Sequence, residues 1–361
     1  MTADAQPPAS PPAVGAPAPS GQPGTPLAEG GPNAIATAFG LLGDEWALLI
    51  LRHALQGVRR YADWRALLPI SDAVLTARLS GLAAQGLLER VAYQRRPVRH
   101  EYRLTERGRS VWPVLVAVWG WEYRWVDTHR EELPWMRHTG CGRRTEPVLV
   151  CGGCGDPVRP RDVRSELGPS GEDGRSIPSA ATRRRSTAGG DGGPDGGAAG
   201  LFPETMALLG NRWSVALLGA AFLGTRRFGE FRQRLGAPPS TVADRLRTFT
   251  ALGVLSADSG TYRLTAKGRA FFPVVMTLID WAQRWYVAPE GPALVSEHRG
   301  CGSRFTARLV CGECGGELTE RTVEVRTSGK GAAGGGTAGD GAAGGGAAGE
   351  PVAGEAASRT P

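Results

Sequence analysis

Cysteine is scarce and confined: the 361 residues hold six, all within 138–155 and 298–315. No apolar run approaches the roughly 18–20 residues that a membrane span needs, so no membrane partner is expected. The start, MTADAQPPASPPAVGAPAPSGQPGTP, has no basic stretch followed by an apolar core. It is therefore not read as a secretory signal, and a cytoplasmic protein with reduced thiols is expected. No partnered acid and base and no cofactor loop stands out, which argues against an enzyme.

What is abundant is glycine (53) and proline (27), and both gather in three stretches. Residues 1–30 are Pro/Ala/Gly-rich, 165–200 form a Gly/Ser/Pro-rich segment and 327–361 a Gly/Ala tail. None can bury a core, so the first and last are read as disordered and the middle one as a flexible linker. The linker's Arg183–Arg184–Arg185 run is read as a solvated charge cluster. A formal charge of +7 and a sequence pI of about 9.4 suit a polyanionic partner.

The remainder is two blocks that repeat each other. Leu41–Leu42–Gly43 with Trp46 returns as Leu208–Leu209–Gly210 with Trp213, an offset of 167. Tyr102–Arg103–Leu104–Thr105 returns as Tyr262–Arg263–Leu264–Thr265 at an offset of 160, so the second block has lost seven residues after Leu88. In the first block Asn33, Asp44 and Ser71 can each cap a helix, and Leu75, Leu79 and Leu82 share one face of the helix that Ser71 starts. LLERVAYQ and HEYRLT read as a hairpin, with Pro97 arguing against a two-residue turn. Thr105 can cap a long helix with Pro113 inside it as a kink.

This order of four helices, hairpin and helix is a winged helix-turn-helix. The segments LLGDEWALLILRHALQGVRRYADWRALL, ISDAVLTARLSGLAAQGLLER and HEYRLTERGRSVWPVL resemble the HxlR family of bacterial transcription regulators. The resemblance covers most of 33–127 and, in the second copy, 201–287. It implies a DNA-binding protein, usually dimeric. Some family members sense oxidants through a cysteine near the domain start; residues 31–40 read GPNAIATAFG, which excludes a thiol switch there.

Helical spacing supports DNA contact independently. Ala73, Thr76, Ala77 and Ser80 point away from the leucine face, and Ser71 starts the helix. These small residues let the backbone approach base edges in a major groove. Arg78, beside the buried face, is placed for a phosphate, with pairing to a neighbouring acid as its alternative. Arg95, Arg96, Arg99 and His100 at the hairpin tip suit the DNA backbone or minor groove. The second copy differs: its wing is ADSGT, and its reading helix offers Ser240, Thr241, Arg245 and Arg247 beside Asp244. Weaker DNA binding by the second copy is expected.

Both cysteine-bearing stretches follow H-x2-C-x9-C-x2-C. His138, Cys141, Cys151 and Cys154 give one set of three thiolates and an imidazole, and His298, Cys301, Cys311 and Cys314 another. That donor set with no open position is the pattern of structural zinc, two ions per chain. The fold class expected is mainly α with small β wings (α+β): winged domains at 31–130 and 201–290, each followed by a zinc-ribbon-like tail, at 131–164 and 291–326. The ribbons are expected to pack near Trp119, Trp121, Trp125 and Trp135, residues read chiefly as core and, less readily, as a box for a small-molecule effector.

A flexible 165–200 linker has an r.m.s. span of roughly 30–36 Å. Half-sites one helical turn apart are about 34–36 Å apart, so one chain can imitate a dimer; a homodimer of chains fits equally. Two competing functions are a protein-interaction adaptor and a thiol oxidoreductase using the CxxC pairs.

Overall fold

The computed structural model describes residues 24–130, 133–172, 174–178 and 202–326. The expectations for residues 1–23, for Arg183–Arg185 and for the tail from 327 lie outside the described residues.

Strand β1 (Thr25–Pro26) precedes helices α1 (Ala34–Leu42), α2 (Glu45–Leu55), α3 (Tyr61–Leu67) and α4 (Asp72–Ala84). Asn33, Asp44 and Ser71 accept hydrogen bonds from the backbone N–H of Ala36, Ala47 and Val74, satisfying donors that the first helical turn leaves free. The wing is β2 (Leu88–Arg95) paired antiparallel with β3 (Val98–Leu104). Arg95 opposes Val98, so the connection is two residues after all, with a cis Arg96–Pro97 peptide in the manner of a type VI turn.

The long helix capped by Thr105 is in fact two, α5 (Glu106–Arg109) and α6 (Trp112–Trp125). Pro113 lies in the first turn of α6, where its missing N–H leaves no bond unmade. The first half closes with α7 (Asp127–Arg130), β4 (Trp135–His138), β5 (Pro147–Cys151), a 3₁₀ turn at Pro160–Asp162 and β6 (Val163–Leu167).

The second half repeats this plan: α8 (Pro203–Leu209), α9 (Arg212–Phe222), α10 (Phe228–Leu235), α11 (Pro239–Ala251), β7 (Leu255–Asp258), β8 (Thr261–Leu264), α12 (Ala266–Ala270) and α13 (Phe272–Trp285). Strands β9 (Tyr286–Val287), β10 (Leu294–His298), β11 (Ala307–Cys311) and β12 (Val323–Arg326) complete it. Its short hairpin turns at Ser259 (φ 46°) and Gly260 (φ 75°), both left-handed as a twist-matched two-residue turn requires.

The halves interlock. β5 pairs antiparallel with β11 about Leu149 and Leu309, each the other's repeat counterpart. β4 pairs with β12 and β6 with β10, so every ribbon strand takes its partner from the other repeat. Trp121 Nε1 donates to the Lys267 carbonyl (3.1 Å) and Trp281 Nε1 to the Arg107 carbonyl (3.3 Å), again counterparts. These reciprocal contacts relate the repeats by a local twofold axis. One apolar core runs through both, including Leu42, Ile50, Trp64, Leu75, Leu79, Phe231, Phe249 and Phe271.

Two expectations change. Residues 165–172 and 174–178 are ordered rather than flexible. β6 satisfies the β10 edge, and buried Asn33 donates through Nδ2 to the Ser170 carbonyl and Ser176 Oγ, both at 2.8 Å. Residues 24–30 are likewise held, by β1 pairing in parallel with β9 and by Gly30 N–H donating to Glu290. Among the described residues no single helix is long and apolar enough to cross a membrane; α1 and α2 pass such a test only as a pair bent by 79°, and their apolar residues are core.

Candidate nucleic-acid interface and metal centres

The candidate reading helix α4 buries Leu75, Leu79 and Leu82 and exposes Ala73, Thr76, Ala77 and Ser80, the four small residues that its spacing turns outward, along with its cap Ser71. Its start is braced from α3: Tyr61 Oη donates to Asp72 Oδ1 (2.9 Å), and Arg65 Nε pairs with the same oxygen (2.9 Å). The sequence offered no signal for this brace beyond the spacing of its members, and Thr76 Oγ1 joins it at 3.4 Å from Tyr61 Oη. Ser71 is spent in part as the helix cap, 3.4 Å from Val74 N.

Arg78 takes up the acid pairing given as the alternative to a phosphate role. Its guanidinium pairs with Asp44 Oδ2 at 2.9 Å, and Asp44 also caps α2. The pair therefore ties α4 to the start of α2, leaving the guanidinium only partly exposed.

At the wing, Arg95, Arg96 and Arg99 are exposed, and none forms an ion pair among the described residues. His100 is half-buried, its Nδ1 3.0 Å from Arg90, an added cation on the same hairpin. Arg60 stacks over Tyr93 at 5.0 Å, putting another guanidinium at the base of the wing. Three exposed guanidinium groups on one tip, without an ion pair among the described residues, form a concentrated positive field of the kind that binds phosphates.

The second repeat presents a shorter and less basic wing. β7 and β8 have four residues each where β2 has eight, a wing shorter by about 13 Å at 3.3 Å per residue. Asp258 stands at its tip and accepts from Ser259 Oγ. On α11, Ser240 is exposed, Thr241 and Arg245 are half-buried, and Arg247 pairs with Asp244 at 2.9 Å.

The eight Cys and His residues do converge, but in a different pairing from the expected one. His138 and Cys141 meet Cys311 and Cys314; Cys151 and Cys154 meet His298 and Cys301. The expectation that each stretch closes its own site is thus corrected. The cause is the strand pairing: β5 and β11 run antiparallel, so each CxxC turn lies beside the other repeat's His-x2-Cys turn.

Contacts within the two sets are 3.3 Å (His138 Nδ1 to Cys314 Sγ), 3.8 Å (Cys141 to Cys311), 3.3 Å (Cys154 to His298 Nδ1) and 4.0 Å (Cys151 to Cys301). A tetrahedral ion with sulfur at about 2.3 Å and nitrogen at about 2.0–2.1 Å requires edges of about 3.5–3.8 Å. Both sets fit a metal ion of that kind. Gly140 and Gly316, one from each repeat, close over the His138 ring; a Cβ there would lie 2.9 and 2.8 Å from Cε1. The Cys301 thiol is held down at about 6, chiefly by the Ser303 backbone N–H and next by His298, which favours the thiolate that binds metal.

The tryptophans belong to the core. Trp119 Nε1 donates to the Pro134 carbonyl, its ring stacks on Tyr123 at 5.2 Å, and Arg144 lies over both Tyr123 and Trp135. The indoles of Trp119 and Trp121 are buried and those of Trp125 and Trp135 half-buried, so the cluster packs the ribbon against α6.

The HxlR-like helix-turn-helix family model matches residues 41–130 and again 208–290. An HTH-type transcriptional regulator of Mycobacterium tuberculosis is 41% identical over 137 residues, 38% of this chain and 87% of that protein. One from Bacillus subtilis is 35% identical over 91 residues, 25% of this chain and 84% of that protein. A solved structure of a candidate transcription factor from Pseudomonas aeruginosa is 33% identical and covers 35% of this chain and 85% of its own, with a TM-score of 0.28. With the domain matched twice and most of one relative's length covered, the chain belongs to the HxlR-like helix-turn-helix family and is a DNA-binding transcriptional regulator.

Proposed function

We propose that this regulator is a non-enzymatic, cytoplasmic, sequence-specific DNA-binding protein in which one chain supplies both halves of a dimer. α4 enters the major groove through Ala73, Thr76, Ala77 and Ser80, while Arg95, Arg96 and Arg99, with His100, meet phosphates or the minor groove. Ser240, Thr241, Arg245 and Arg247 make a weaker contact from α11. Arg78 acts at one remove, by holding α4 in place.

The observation that carries this reading is the juxtaposition of small exposed residues on α4 with three exposed arginines on the adjoining wing, none ion-paired among the described residues. Two zinc ions are its structural partners. One is held by His138, Cys141, Cys311 and Cys314, the other by Cys151, Cys154, His298 and Cys301. Zinc supplies stability that ribbons of this size cannot draw from a core. With all four positions taken by protein, and every cysteine in a ligand set, the CxxC pairs are not left over for redox work.

The test is fluorescence anisotropy of the zinc-loaded chain on random and selected duplexes over a salt series. Binding is expected to weaken steeply with salt, by about 0.9 in the log–log slope for each phosphate neutralised, and one chain per two-half-site operator is expected by light scattering. A chain that ignores every duplex at low salt removes the reading.

A further inference from the structure

A cavity of about 370 Å³ opens beside the second repeat, within the usual size of small-molecule sites. Its walls include Phe39 of α1, Leu218 and Phe222 of α9, and Phe272, Met276 and Ile279 of α13. Described residues of 163–172 and 174–177 line one side.

The cavity's lining differs from the first repeat chiefly by loss of volume, although Phe222 stands for Leu55 and Met276 for Val116. The first repeat carries Leu49, Arg52 and His53 on α2 where α9 has Ala216, Gly219 and Ala220. It carries Trp112 and Trp119 on α6 where α13 has Phe272 and Ile279. All five changes reduce side-chain volume, and all five second-repeat residues line the cavity. Gly219 lies inside α9, where glycine is the poorest ordinary helix former. A Cβ on it would meet nothing within 4 Å, so no close backbone approach explains the glycine.

The lining is apolar but its open side is basic. Among the described residues Arg164, Arg234 and Arg299 line it with one carboxylate, Glu172. Arg164 is engaged by Glu166 at 2.7 Å, while Arg299 is exposed and forms no ion pair among the described residues. An apolar chamber with a cationic edge selects a molecule with a hydrophobic body and one negative group.

We propose that this cavity binds a small apolar organic anion, such as an aromatic or aliphatic carboxylate or sulfonate. Because α9 packs on α11, occupancy would bear on the second reading helix; that extension rests on the proposed DNA function, whereas the binding itself does not.

The test titrates 1-anilinonaphthalene-8-sulfonate, and uncharged N-phenyl-1-naphthylamine in parallel, into the full zinc-loaded chain without DNA. One saturable site per chain is expected for the sulfonate. The filled variant Ala216→Leu/Ile279→Trp, which restores first-repeat residues, should weaken both probes by at least about tenfold. Arg299→Glu, which leaves the volume intact, should weaken the sulfonate several-fold and leave the neutral probe unchanged. No saturable binding below about 100 µM, binding by the filled variant equal to that of the parent chain, or equal loss of both probes on Arg299→Glu would overturn the proposal. Because duplex is absent, these outcomes are independent of whether the chain binds operator.

Discussion

The two repeats share a backbone plan and differ in what their side chains are free to do. The first extends an arginine-tipped wing and carries the larger Leu49, Arg52 and His53 on α2 and Trp112 and Trp119 on α6. The second shortens the wing, tips it with Asp258 and hollows the space behind α9. Even the core differs. Glu122 is fully buried, accepting from Thr205 N (2.9 Å) and Oγ1 (2.6 Å) and facing His129 at 3.1 Å, and burial pushes its carboxyl up. The counterparts of Glu122 and Thr205 are Ala282 and Ala38, both buried and both apolar. A homodimer cannot divide labour this way, since any change appears twice. Fusing the copies lets one side keep the charge needed for polyanion binding while the other gives up volume.

The sharpest way to break the comparison is at the metal centres. Cys141→Ser with Cys314→Ser should release one zinc of two, because both lie in one crossed site; a pairing closed within each repeat would lose both. Zinc per chain by elemental analysis decides between them. Structural zinc contributes on the order of 10 kcal/mol in small fingers, so the variant should also melt far below the parent chain.

The next effect concerns the wings. Reversing Arg95, Arg96 and Arg99 to Glu should lower operator affinity by about 30–100-fold and reduce the salt slope by about 2.7, reading each arginine as one phosphate contact. Reversing Arg245 and Arg247 should cost distinctly less. Equal losses in anisotropy would remove the ranking of the repeats.

The smallest effect is acid sensitivity. Burial first, then the charge of Arg52, depress the His53 ring from its usual 6.5 to about 4. Between those values the unfolded chain binds the proton and the folded chain does not. Stability from this group is therefore present above pH 6.5 and lost as pH falls toward 4. His53→Ala, which copies Ala220, should flatten the urea-melt stability over that window. The change is bounded by about 1.4 kcal/mol per pH unit and is reduced by screening of a half-exposed ring.

Much of this was legible because local rules decide local structure. Asn33, Asp44, Ser71 and Thr105 each cap a helix as their position before an apolar run implies, and the leucine spacing of α4 marks its buried face. What failed to show was long-range. H-x2-C-x9-C-x2-C is satisfied equally by a site within one stretch or across two, and only the antiparallel pairing of β5 with β11 selects the second. Arg78 looks like a phosphate ligand until α2 places Asp44 beside it. The order of 165–178 depends on a free edge at β10 and on a buried Asn33 side chain, neither visible in a Gly- and Pro-rich segment. The cavity could be seen only by laying one repeat over the other.

The crossed donor sets also set a timetable. His138 and Cys141 wait for Cys311 and Cys314, and the Cys141–Cys311 separation alone is 170 residues. At about 5–20 residues per second, a ribosome spends roughly ten to thirty seconds between delivering the two. For that interval the nascent first ribbon has cysteines without their companions and strands without their neighbours. An ion held by either crossed set would thus report that both halves of the same molecule have been made.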